Sequence, residues 1–132
     1  MRTLLPPGWP RPKGYANGIE TEGRLVFVAG QIGWTPGGKF EATTLPAQVA
    51  QTLDNTLAVL REAGAGPEHV ARMTWYITDK RAYLDALAEI GAIWREKMGK
   101  NYPAMAVVEV KALMEDAALI EIETTAVVPR GQ

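Results

Sequence analysis

Apolar residues recur along this chain in two rhythms, every second position in some stretches and every third or fourth in others. The two-residue rhythm comes first, in the run LVFVAGQIG at residues 25–33, whose β-branched and aromatic residues predict a strand closed by Gly33. Gly30 inside that run marks a bend, or a point where a ligand approaches the backbone closely. Thr35-Pro36-Gly37-Gly38 then reads as a turn. The helical rhythm follows: Val49, Leu53, Leu57 and Leu60 share one face. Thr43 or Thr44 can cap this helix, Pro46 is tolerated in its first turn, and Gly64 stops it. Its polar residues Gln48, Gln51, Asp54, Asn55, Arg61 and Glu62 are expected to meet water.

Residues 69–78 return to alternation, with Met73, Trp75 and Ile77 on one side and Arg72, Thr74 and Tyr76 on the other. A second helix is expected over residues 81–98, on a stripe of Leu84, Leu87, Gly91 and Trp94 with Tyr83 and Ile90 alongside. Two strands close the chain. Their alternation groups Ala104, Ala106, Val108 and Val110 with Ile120 and Ile122. It groups Met105, Val107, Glu109 and Lys111 with Leu119, Glu121, Glu123 and Thr125. Two helices can cover only one face of such a sheet. The second face, mixing apolar side chains with carboxylates, suits a subunit interface around a polar site, so a homo-oligomer is expected. The expected order is β, α, β, α, β, β in one domain over residues 1–132, with residues 1–14 an irregular, proline-rich arm.

Composition narrows the function classes. A chain of 132 residues can bury a core without staples, and 47% hydrophobic with 22% charged residues is ordinary for a globular protein. No apolar run approaches the ~20 residues a bilayer span needs, so no membrane partner is expected. The N-terminus lacks the apolar block of a signal peptide, which favours a cytoplasmic location. The absence of cysteine excludes disulfides, thiolate metal ligands and cysteine nucleophiles. With a net charge of −1 and scattered Lys and Arg, there is no phosphate-tracking stripe, so nucleic acid is not an expected partner. His69, the one histidine, falls in a Gly-Pro-Glu-His loop and reads as a surface residue; no metal site is expected. Trp75 and Trp94 lie on apolar stripes and read as core, whereas Trp34, just after Gly33, could wall a cleft.

Several segments, in order and from about residue 15 to 128, carry a family resemblance. They are Gly14-Tyr15 with Gly18, LVFVAGQIG, QTLDNTLAVLREAG at 51–64, YPAMAVVEV at 102–110 and IEIETTAV at 120–127. Together they resemble the reactive intermediate deaminase (RidA/YjgF) family. The resemblance implies a chorismate-mutase-like α+β fold, a mixed β-sheet with two helices packed on one face, assembled as a homotrimer with a small-molecule ligand in each intersubunit cleft. It implies hydrolysis of enamines and imines to a 2-keto acid and ammonia, with no cofactor. It matches Tyr15 to a cleft tyrosine, Gly30 to a glycine whose backbone meets the ligand, and Glu121 to the glutamate associated with the attacking water. Val107 stands where cysteine is common, in a role the backbone carbonyl fills. Ala29 stands where serine is common, and Met105 stands in place of the family's arginine.

The last departure bears most on function. Hydrolysis of a C=N bond needs a positioned water and a group to move its proton, which Glu121 could supply. Without the resemblance, Glu109, Glu121 and Glu123 would read as ordinary strand carboxylates. An arginine fork holds a carboxylate through charge-assisted hydrogen bonds of about 1.5–3 kcal/mol each, and a thioether offers none. Methionine most often fills gaps in cores; on either reading the anion grip is gone. The expectation is therefore an imine hydrolase of altered specificity, with a trimeric small-molecule-binding or regulatory protein as the alternative.

Overall fold

The computed structural model describes residues 1–131. Its main sheet contains β3 (Arg24–Ile32), β4 (Val70–Ile77), β5 (Ala104–Glu109) and β6 (Ile120–Val128), in the spatial order β3-β6-β4-β5. β6 runs antiparallel to both β3 and β4, while β4 and β5 are parallel. A parallel pair cannot be joined by a hairpin, and the crossover here is helical: α2 (Lys80–Asp85) and α3 (Leu87–Met98). With α1 (Leu45–Glu62), these helices cover one face of the sheet, giving the mixed α+β architecture the sequence implied. The closing strands are not neighbours; β4 lies between them.

The arm is only partly irregular. Residues 2–4 form β1 (Arg2–Leu4), which pairs antiparallel with β2 (Gly18–Glu20), and Arg2 Nε donates to Glu20 Oε1 at 2.9 Å. Three residues just ahead of Pro6-Pro7 are too short a run to register as a strand.

Thr44 caps α1, its hydroxyl accepting from the Ala47 N–H at 3.3 Å. The buried face of α1 is broader than its leucine stripe and includes Gln48, Thr52 and Thr56 beside Val49, Leu53 and Leu60. Gln48 does not meet water: it is 1% exposed. Its Nε2 donates to the carbonyls of Ala42 (3.1 Å) and Ala117 (2.8 Å), and its Oε1 accepts from the Leu119 N–H (2.8 Å). Asn55 Nδ2 likewise donates to the Ile32 and Trp34 carbonyls, at 3.0 and 2.8 Å. Both side chains satisfy backbone groups in loops and at the end of β3.

The second helix breaks at Ala86, and its buried face is Ile90, Trp94 and Met98. Leu84 and Leu87 are exposed, so the expected stripe was out of phase by part of a turn. Asp79 caps α2, and the first N–H, from Lys80, donates to Glu109 Oε1 at 2.6 Å.

The register also overturns one expected facing. Met105 pairs with Met73 and Val107 with Trp75, and on the far side Met73 pairs with Thr124 and Trp75 with Ile122. Paired residues share a face, so Met105 and Val107 lie under the helices with Ile120 and Ile122. Glu121 points to the other face, with Ala104, Ala106 and Val108. Both sets of β5 side chains are apolar at their starts, so alternation alone reads equally well in either phase; pairing with β4 decides it.

Candidate active site

Where the crossover passes over β4 and β5, it leaves a groove of about 830 Å³ between α3, residues 13–15 of the arm and β5. The Ala16 N–H donates to the Pro103 carbonyl at 2.9 Å, and Ala16 bridges Ala104. That contact holds Tyr15 beside the start of β5, where Met105 and Val107 also line the groove. Leu87 and Gly91 of α3 face them, Leu87 being 47% exposed. The floor is a chain of rings. Tyr83 meets Trp75 edge-on at 6.5 Å, Trp75 meets Trp94 at 6.0 Å, and Trp94 stacks on Tyr102 at 6.1 Å. Burial pushes the Tyr83 phenol above its ordinary pKa, so it is neutral at physiological pH. The Nε1 atoms of Trp75 and Trp94 are sealed from solvent and have no acceptor among the described residues, leaving the floor apolar. Among the described residues, Lys13 and Arg95 are the only charged ones lining the groove, and both are exposed.

Glu121, Gly30 and Ala29 lie on the opposite face of the sheet. The β3–β6 register shifts between Val28 and Gln31, and this bulge presents Ala29 and Gly30 at the surface. The half-buried Glu121 carboxylate packs against Gly30 so closely that a Cβ there would collide with it. No hydrogen-bond partner satisfies that carboxylate among the described residues, which leaves it available to a water or a ligand. Farther along β3 on the same face, Phe27 and Leu25, paired with Thr125 and Val127, are 72% and 62% exposed. Tyr76 and Glu123 join across β4 and β6, the Tyr76 hydroxyl donating to Glu123 Oε1 at 3.4 Å.

The fold therefore divides the expected site residues into two groups. Tyr15, Met105 and Val107 share the groove; Glu121, Gly30 and Ala29 share the open face. Trp34 belongs to neither, its ring meeting Phe40 at 5.8 Å beside α1. Tyr83, Tyr102, Lys13 and Arg95 went unnoticed in the sequence. Tyr102 precedes the Pro103-Ala104-Met105 run directly, a signal that could have found it; Tyr83 and Arg95 are brought in by the crossover and Lys13 by the arm. Among the described residues no group of three His, Cys, Asp or Glu side chains is placed to hold a metal ion.

Known proteins share this pattern. The sequence profile described as Endoribonuclease L-PSP matches residues 10–128. A RutC family protein of Pyrococcus abyssi is 35% identical over 119 residues, 89% of each chain. The 2-iminobutanoate/2-iminopropanoate deaminase of Escherichia coli K12 is 30% identical over 113 residues, 86% of each chain. The crystal structure of the Rid family protein YyfB of Yersinia pestis superposes with a TM-score of 0.84 at 34% identity, covering 96% of this chain and 98% of that one. A mixed sheet under helices on one face, a glutamate against a bulged glycine and relatives matching over nearly the whole length agree: the chain belongs to the RutC/RidA (YjgF, L-PSP) family.

Proposed function

We propose that this chain is a Rid-type hydrolase that turns an imine or enamine into a carbonyl compound and ammonia, in clefts between the subunits of a homotrimer. The carrying observation is the unpartnered Glu121 carboxylate packed against Gly30, in a chain 30% identical to a 2-imino acid deaminase. Water adds to the C=N carbon, one of its protons passing by way of Glu121 to nitrogen. The carbinolamine then gives its hydroxyl proton to nitrogen as well, the C–N bond breaks, and ammonia leaves a C=O group behind. Glu121 and Gly30 sit on one face of the sheet and the groove on the other, so one ligand can touch both groups only if two chains contribute. The exposed Phe27 and Leu25, farther along the same face as Glu121, support that face as the contact with a neighbour. A head-to-tail contact that closes after three copies gives three such clefts.

Met105 sets the specificity. A small 2-imino acid held through an arginine fork would bind roughly 10- to 10⁴-fold worse here. RNA cleavage is not our reading despite the family profile's description, because a net charge of −1 and a single histidine provide neither a phosphate stripe nor a histidine pair.

The test measures ammonia release from a panel of freshly generated imines. Glu121→Gln is expected to lose about 10²–10⁴-fold in rate. Met105→Arg is expected to gain activity on 2-iminopropanoate. A Glu121→Gln variant with undiminished rates would remove the glutamate mechanism. A second reading, a binding protein without turnover, is favoured by the uncharged Met105 itself. It takes over if no imine reacts above the buffer rate while apolar aromatic ligands raise the melting temperature.

A further inference from the structure

We propose that the groove selects organic anions with an aromatic or similarly bulky apolar body, so that the substrate is an aryl 2-imino acid rather than a small one. The inference rests on the reading of the groove as half of the substrate site. Its grounds are the shape and charge of the groove. In one chain the groove measures about 830 Å³, and even with part of it taken up by a neighbour it exceeds what a three- or four-carbon acid needs. Met105 and Val107 on one wall and Leu87 and Gly91 on the other offer apolar contact over a floor of rings. A thioether against an aromatic face is a favourable contact in its own right. The position that could have filled the cleft with a guanidinium instead widens its apolar surface.

The charges sit at the mouth. Lys13 and Arg95 are exposed, both line the groove, and no Asp or Glu lines it with them. Neither forms an ion pair among the described residues, where three Lys or Arg pairs with Asp or Glu are formed elsewhere. Two free cations at the rim of an apolar trough suit a ligand whose ring goes in and whose carboxylate stays at the entrance. Exposed cations contribute a few-fold each, so the ring dominates affinity and the rim sets its sign of charge. The reaction balances as before: the aryl 2-imino acid and water give the aryl 2-keto acid and ammonia.

Isothermal titration calorimetry on the intact protein tests this with three probes: phenylpyruvate, pyruvate and the neutral ketone phenylacetone. Phenylpyruvate is expected to bind at least about tenfold tighter than pyruvate, and several-fold tighter than phenylacetone. The combined Lys13→Ala and Arg95→Ala variant should erase the second difference and leave the first. Gly91→Phe should abolish binding; a Cβ at 91 meets nothing within 4 Å, so the new ring enters the groove without disturbing the helix. Circular dichroism checks that the variant folds, and the rim variant decides if it does not. Equal affinity for pyruvate and phenylpyruvate would overturn the proposal, as would a folded Gly91→Phe protein that still binds. Aryl preference without ammonia release would leave the groove reading standing and remove the hydrolase. Turnover of 2-iminopropanoate with no aryl preference would do the reverse.

Discussion

At position 30, a single added carbon would run into the Glu121 carboxylate. The obstacle is the tip of a flexible side chain, so Gly30→Ala is expected to displace the carboxylate and leave the fold intact. Ammonia release should fall about 10- to 100-fold, in line with a misplaced catalytic group, while the melting temperature hardly moves. An unchanged rate would mean that Glu121 need not hold its present place. The sequence marked Gly30 as a bend or a point of close approach by a ligand; the group that comes close within the chain is the Glu121 side chain. The sequence marked Met105 less well. Methionine reads the same in a core or a cleft, and only the neighbours supplied by α3 and the arm distinguish the two. Within one chain Trp34 packs against Phe40 rather than lining the groove, because adjacency in sequence to Gly33 says nothing about which way the chain turns next.

Among the elements, α1 shows why polarity patterns mislead. Its buried face carries Gln48, Thr52 and Thr56, three polar residues that a search for apolar spacing assigns to water. Gln48 is there to satisfy three backbone groups in segments 42 and 117–119, a duty that depends on distant residues. Gln48→Ala strands those groups in the interior and is expected to cost about 2–4 kcal/mol, read as a shift in the denaturant midpoint with unchanged slope. A loss under 1 kcal/mol would show that water reaches them. The phase of β5 failed for the complementary reason. Six residues with apolar side chains on both sides fit a sheet either way, and the parallel pairing to β4 is invisible until the crossover is placed. The caps, turns and strand positions that depend on near neighbours were legible throughout.

For the molecule as a whole, the sheet is covered by helices on one side and bare on the other. The sequence suggested an interface from the mixed character of one face. It could not say that the glutamate and the thioether belong to different faces, since that follows from strand order rather than composition. Among the described residues no helix is long and apolar enough to cross a membrane. The bare face, with its exposed Phe27, is the one the proposed function gives to a second copy of the chain.

A division of labour across the sheet has a genetic signature. If each reaction chamber borrows its acid from one protomer and its trough from the next, two crippled versions can rescue one another. Glu121→Gln and Gly91→Phe chains, each dead alone, would co-assemble so that about one chamber in four receives both intact halves. Co-refolded mixtures should then regain about a quarter of the normal rate, and separately refolded ones none.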